Sequence, residues 1–421
     1  MGKCSLLNML TTEKVFWAIL IVWFILRATL LGCQYFGNTD ADIYKETLKY
    51  FTAEDIAASR EYSLSGFWFK AIWGTLYIAA LVLMLRLGLF SSLWKTVCSR
   101  VGEGLLKRDL LFTLLFLLIL QVLSFPSSFY FGYLRETSSG FSNVDMAGWF
   151  LRYFKAVGLN IAFECFVFVV LIAVLKYLPS KWPWVLPLVL GTIGAAAMIL
   201  TPVIITPLFY NQKPLENGEF RNKLLEIAQK ANLSVEEIYV IDESRYSKHT
   251  NAYFTGFGKF KRIVLYDNLI NSHTPEEAAL IFAHEAGHWK HNHMFWGMCC
   301  WILGAFAACY AVYWLFGTLT SVEWFGLSEI HSASALPFFM LAYMVAQLLF
   351  APIESQISQY METQADKTSI ELTGLNQVFV DAQVRLSRDN KSDLLPHPFR
   401  VFWLYSHPTA LQRINLADSN G

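Results

Sequence analysis

The stretch IFAHEAGHWKHNHMFW, residues 281–296, places four histidines and a glutamate within ten positions and then enters one of the most apolar parts of the chain. His284-Glu285-Ala286-Gly287-His288 is an HExxH pattern. Side chains four apart share one helix face, about 6 Å from each other, so two imidazoles can reach one zinc ion. Glu285 sits one step round, beside an open coordination position, where it can take a proton from water. Gly287 costs about 1 kcal/mol against alanine inside a helix. Its presence predicts a close backbone approach, by a strand or by substrate. His291 and His293 are rival ligands, read here as interfacial or outer residues.

Composition says what surrounds this motif. Of 421 residues, 55% are hydrophobic and only 16% charged, well below the roughly 25% charged of soluble domains. A chain so apolar needs lipid to cover it. The formal net charge is zero, so nothing points to a nucleic-acid partner. The seven cysteines lack CxxC spacing and read as small buried hydrophobes, without a disulfide framework. The first apolar run lacks the pattern of a cleavable signal peptide, and Leu6 stands where a myristoylation signal wants Ser or Thr.

Seven runs are long enough to cross a bilayer, near 15–37, 67–90, 109–134, 153–178, 182–210, 294–319 and 333–357. Trp and Tyr cluster at several ends, as interfacial anchors do. Arg27, Lys70, Gln121, Glu164 and Gln347 fall inside spans, which predicts that they face a bundle interior or a wet cavity. Glu164 either lines a chamber or joins a structural ion pair.

Two segments are not membrane-like. In 211–293, residues 215–232 read as an amphipathic helix, and EEIYVID, NAYFTGF and KRIVLYDNL as three short strands with a turn at GFGK. A helix then opens at Thr274, with Pro275 in its first turn and Glu276 and Glu277 at its positive end. Residues 358–421 read as helical, with breaks near Pro396, Pro398 and Pro408. The expected division is 1–210, a membrane domain of five helices, and 211–421, a metallopeptidase region that includes the last two spans.

A catalytic zinc takes three protein ligands and keeps one position open. Spacing leaves Glu362, Glu354 and Glu371 as candidates for the third. Glu362 is favoured because Asp366 lies four residues on, on the same face, where it can fix the tautomer of a ligand histidine.

HExxH with a distant ExxxD on a helix resembles the gluzincin metalloproteases. SKHTNAYFTGFGKFKRIVLYDNLI (247–270) and SHPTALQRI (406–414) closely resemble segments of type I CAAX prenyl proteases, and SFPSSFYFGYLRETSSGFSN (124–143) is similar to a divergent form of that family's N-terminal membrane motif. The resemblance implies an all-α multi-pass membrane protein: seven helices enclosing a water-filled chamber, with a small α+β zinc domain closing one end. It implies one Zn2+ per chain on His284, His288 and Glu362, with Glu285 as general base and Asp366 orienting a ligand histidine. It implies that Asn251, Ala252 and Tyr253 form a strand edge for an extended substrate, and that His407 and Arg413 hold the substrate carbonyl or oxyanion. The implied partners are the lipid bilayer and a peptide or protein substrate, cut after a prenylated cysteine. The chamber explains how the motif helix can run directly into the sixth span. The implied membrane is the endoplasmic reticulum in a eukaryote, or the cytoplasmic membrane in a bacterium.

Three other readings compete. A membrane quality-control protease of the HtpX kind has fewer spans. Site-2-type proteases carry HExxH in an early span. A seven-span transporter or receptor would hold its histidines at mid-membrane. On orientation, Lys95, Arg100, Lys107 and Arg108 weakly place the N-terminus in the cytosol. The family arrangement places the zinc domain there and the N-terminus opposite, and is preferred.

Overall fold

The computed structural model describes residues 3–102, 105–233, 237–255, 262–318 and 332–419. Seven helical stretches are long and apolar enough to span a bilayer: Lys14–Phe36, Ala53–Arg86, Lys107–Ser138, Met146–Tyr177, Trp182–Phe209, His293–Tyr313 and Ala333–Thr373. Each coincides with an expected run. The helices that build them are α1 (Lys3–Phe36), α2 (Phe67–Arg86), α3 (Leu105–Phe129), α4 (Met146–Tyr177) and α5 (Trp182–Leu200). After α6 (Glu219–Lys230) and α7 (Pro275–Lys290) come the last two, α8 (His293–Thr318) and α9 (Leu336–Thr373). Then follow α10 (Asn376–Asp389), α11 (Pro398–Leu404) and α12 (Ala410–Ser419), separated at the expected prolines.

Burial is uneven along the spans. Leu20 and Trp23 of α1, Ile78, Leu81 and Leu85 of α2, and Phe112, Phe116 and Leu117 of α3 interlock with Ile172 of α4 and Leu336 and Leu341 of α9. All of these lie at the membrane end remote from HExxH. Toward the HExxH end the packing loosens: no side chain is fully buried from 121 to 140 or from 146 to 164. Helices packed into a solid bundle would each bury an inward stripe. Here α3 and α4 still touch through aromatic rings, Phe125 and Phe129 against Trp149 and Phe150, but every side chain stays partly accessible, as the walls of an incompletely filled interior do. Glu164 lies in such a stretch.

The soluble region holds a four-stranded sheet of β1 (Gln212–Pro214), β2 (Ile238–Ile241), β3 (Ala252–Thr255) and β4 (Arg262–Tyr266). Its order is β1-β2-β4-β3, with β2 and β4 parallel and both outer pairs antiparallel. β2, β3 and β4 are the expected strands. β1 was not anticipated, because three residues ending in proline carry no alternation to read. The GFGK turn lies outside the described residues. The amphipathic helix begins four residues later than expected, with Gly218 at its N-cap.

Candidate metal centre

Thr274 caps α7: its hydroxyl accepts from the Glu277 N–H and the Glu277 carboxylate accepts from the Thr274 N–H, with Pro275 at the first turn. Ten of the sixteen residues of α7 are buried. The helix crosses α9 at small residues. A Cβ on Gly287 would stand 3.0 Å from Ala365 Cα and 3.1 Å from its carbonyl oxygen. The close approach expected at Gly287 is therefore made by the α9 backbone, rather than by a strand or a substrate. This crossing sets Glu362, three residues before Ala365, beside the histidine pair.

His284 Nε2 and His288 Nε2 stand 3.1 Å apart, and Glu362 offers Oε2 at 3.2 Å from the first and Oε1 at 3.4 Å from the second. Glu354 and Glu371, the other spacing candidates, are exposed. The hydrogen-bond chains behind the imidazoles fix their tautomers. His284 Nδ1 donates to Asp366 Oδ1 at 2.8 Å. His293 Nε2 donates to Gln364 Oε1 at 3.0 Å, so its Nδ1 is left to accept from His288 Nδ1 at 2.9 Å. Both Nε2 atoms therefore present lone pairs to each other and to a carboxylate whose Oε2 is buried without a hydrogen-bond partner. Three converging acceptors require a cation. Ligand atoms about 2.0–2.1 Å from a tetrahedral zinc stand about 3.3 Å apart, so this donor set fits one. Burial opposes a charge on His284, yet Asp366 and Glu362 outweigh it and lift its pKa to about 10, so without a metal the acidic surroundings draw a proton to the place a cation would take.

Asp366 is fully buried and clamped by Arg413, with Nε to Oδ2 at 2.8 Å and Nη2 to Oδ1 at 2.6 Å. Burial disfavours the guanidinium, but Asp366 more than compensates and holds its pKa above the ordinary value. Arg413 engages Asp366 through Nε and Nη2 and so supports His284 through that carboxylate. His407 Nε2 lies 3.3 Å from Glu362 Oε2.

Glu285 Oε2 accepts the Phe254 N–H at 2.9 Å, which ties the HExxH helix to β3. Burial raises the Glu285 pKa above the usual carboxylate value. Because Tyr253 pairs with Val264 and the Asn251 carbonyl accepts from Tyr266 N, alternation turns the outer edge groups of Ala252 and Phe254 toward the site. The expected edge of Asn251, Ala252 and Tyr253 falls on β3, the outer strand of the sheet; within it Tyr253 addresses β4, and Asn251 Oδ1 takes the Ala252 N–H at 2.9 Å. His293 supports His288, and His291 Nε2 bonds Thr368 Oγ1 at 2.8 Å, so both are outer residues. Another difference is a break in the chain between motif and span: α7 stops at Lys290 and α8 starts at His293, with Asn292 at φ 53° between them.

Sequence reading missed a second tie. Phe141 stacks on His249 with centroids 4.1 Å apart, and His249 Nε2 lies 2.9 Å from Glu136 Oε2. His249 Nδ1 meets Asn390 Oδ1 at 2.9 Å. The two family-like stretches, 124–143 and 247–270, are thereby docked on each other. Nothing in either stretch alone signals a pair 113 residues apart.

Two family models cover the chain almost end to end. The one for the N-terminal five membrane helices of CAAX prenyl proteases matches residues 34–211, and the one for peptidase family M48 matches 214–420. The chain belongs to the type I CAAX prenyl protease family. CAAX prenyl protease 1 of Saccharomyces cerevisiae is 29% identical over 87% of this chain and 86% of its own length. A metalloprotease of Bacillus subtilis described as uncharacterised is 30% identical over 63% of each chain. The crystal structure of S. mikatae Ste24p superposes with a TM-score of 0.79 at 25% identity, covering 95% of this chain and 98% of that one. This member is accordingly a multi-pass membrane metallopeptidase acting on peptide or protein substrates.

Proposed function

We propose that this member of the CAAX prenyl protease family is a zinc endopeptidase that removes the last three residues after a prenylated cysteine. The observation that carries the reading is the convergence of three lone-pair donors, His284, His288 and Glu362, beside a glutamate held at a strand edge. Zinc, when bound there, supplies the Lewis acidity that lowers the pKa of a water to about 7.

The chain's own residues supply the rest. A substrate backbone laid against β3 replaces Asn251 and Glu285 at the Ala252 and Phe254 N–H groups. Glu285, so released, takes the proton of the attacking water and returns it to the leaving amine. Its raised pKa suits both halves of that task. His407 faces the developing oxyanion. Asp366 and Arg413 hold His284 in the tautomer that keeps Nε2 free. The open interior beside the site admits water and a greasy substrate together.

We assign 1–210 to the membrane domain and 211–421 to the metallopeptidase region. An odd number of spans sets the N-terminus opposite the metal centre, and the reading places that centre in the cytosol. The membrane is that of the endoplasmic reticulum in a eukaryote or the cytoplasmic membrane in a bacterium. The test uses purified protein in detergent, with farnesylated and plain peptides of one sequence, chelator treatment and zinc add-back. The expected result is zinc-dependent cleavage of the farnesylated peptide before its last three residues. Equal cleavage of the plain peptide would remove the prenyl requirement.

A further inference from the structure

A polar pocket of about 250 Å³ opens where the start of α2, the segment after α10 and α11 meet, and its charge is lopsided. Four cations line it, Lys70, Arg135, Lys391 and Arg400, against one carboxylate, Asp393. Asp393 is taken by Arg400 Nη1 at 3.4 Å and Ser63 Oγ at 3.0 Å. The other three cations have neutral partners or none. Arg135 bonds Ser65 Oγ and the Tyr62 carbonyl, and Lys391 bonds the Ser139 carbonyl. Lys70 Nζ meets no hydrogen-bond or ion-pair partner among the described residues. Glu136, next along the chain from Arg135, is occupied by Tyr62 and His249. Asp393 Oδ1 is buried without a hydrogen-bond partner, so one counter-charge faces four cations, and that excess of positive charge in a recess binds an anion at a gain.

The walls of the pocket lead to the metal centre from two sides. Tyr405 lines it, and the Tyr405 carbonyl accepts from Gln359 Nε2 at 3.0 Å, one turn before Glu362 on α9. His407 is two residues further on, which is at most about 7 Å of chain. On the other side, Asn390 Nδ2 donates to the Thr250 carbonyl at 3.4 Å, immediately before β3 begins. A peptide paired antiparallel to β3 with its scissile bond at the metal therefore sends its C-terminal residues past Asn251 toward Asn390 and Lys391. Three extended residues beyond the scissile bond reach about 10 Å.

We infer that this pocket seats the terminal carboxylate of the substrate, and that its distance from the metal centre sets the length of the fragment removed. The inference rests on the peptidase reading above and adds to it an anchor at the far end of the substrate. Lys70 is the specificity residue, because its ammonium is uncommitted, while its backbone is engaged by Arg27 and Gly66.

Binding tests this without turnover. Fluorescent peptides of one sequence, farnesylated or plain, end in either a free carboxylate or a carboxamide. Each is titrated onto the full-length zinc-loaded Glu285→Gln protein in detergent. The acid is expected to bind about 10-fold tighter than the amide, with the gap shrinking as salt rises. Lys70→Gln should reduce the gap to less than about 3-fold, and Lys70→Arg should restore it. The same collapse is expected in kcat/KM ratios on the active enzyme. Equal affinity for acid and amide overturns the inference, as does a Lys70→Gln variant that keeps the full gap. Displacement of both peptides alike by phosphatidylglycerol vesicles also overturns it and assigns the pocket to a lipid headgroup. An acid–amide gap of equal size in the plain peptides sustains the carboxylate seat while removing the prenyl requirement, so the two readings fail separately.

Discussion

Helices α7 and α8 are separated by two residues and are built to opposite ends. α7 buries most of its length against the sheet and α9, whereas α8 buries nothing from Met294 to Tyr313. Both are glycine-bearing and rich in small or apolar residues, so composition does not divide them. What divides them is the tolerance each must meet. α7 places two imidazoles to within tenths of an ångström of a carboxylate on another helix, and close packing is the means of holding such a geometry. α8 borders lipid and leans on α5, where Ile302 meets Gly191 and Val312 packs near Trp182 and Leu186, but it has no chemical group to place. The break at His291 and Asn292 lets the two coexist, because the rigid helix does not transmit its packing demands into the membrane.

The largest expected effect strikes the rigid helix through its chemistry. Glu285→Ala should cut single-turnover peptide hydrolysis by about 10³-fold or more, while metal analysis still finds one zinc per chain. Normal turnover by that variant would sink the role given to Glu285. Next comes the clamp. Asp366→Asn or Arg413→Ala should weaken zinc affinity by about 10–100-fold, read by chelator competition.

Glycine substitutions probe the comparison directly. Gly287→Ala forces a methyl against the α9 backbone and should lower stability by about 1–3 kcal/mol, with zinc lost at lower chelator concentration. Gly297→Ala and Gly304→Ala in α8 meet nothing within 4 Å. They should leave Tm unchanged or raise it. A destabilised Gly304→Ala would show that the glycine-bearing face of α8 is packed as well as the face that meets α5.

The smallest effect is a pH dependence at the tie between the two family-like stretches. The hydrogen bond that His249 donates to Glu136 raises the His249 pKa above 6.5, against the opposing effect of burial. A folded pKa above the unfolded one means that the folded state binds the extra proton. The contribution is then fully present below about pH 6.5 and is lost as pH rises through the folded pKa. Denaturation midpoints compared at pH 6 and pH 9 should show this loss, and Glu136→Gln should abolish it.

Much of this was legible beforehand. The seven spans were readable because length and apolarity alone qualify a helix to cross lipid. HExxH was readable because helical spacing dictates which side chains share a face. Glu362 was ambiguous against Glu354 and Glu371 until the crossing at Gly287 and Ala365 selected the face of α9 that meets the histidines. The commitment of Arg413 to Asp366, the pairing of His249 with Glu136, and the edge alternation that favours Phe254 over Tyr253 are tertiary facts. Each depends on register or approach between distant segments, which no local pattern carries.

Helix α9 runs unbroken through 38 residues, about 57 Å at 1.5 Å per residue, nearly twice the thickness of a hydrocarbon core. One end is gripped by lipid and the other carries Glu362, so it is a lever with its working tip at the active centre. A bilayer of a different thickness tilts such a lever, and the tilt reaches the ligand sphere through the turn at Pro352, where proline removes one helical hydrogen bond. Acyl-chain length in reconstituted vesicles should therefore tune proteolysis without touching a single catalytic side chain.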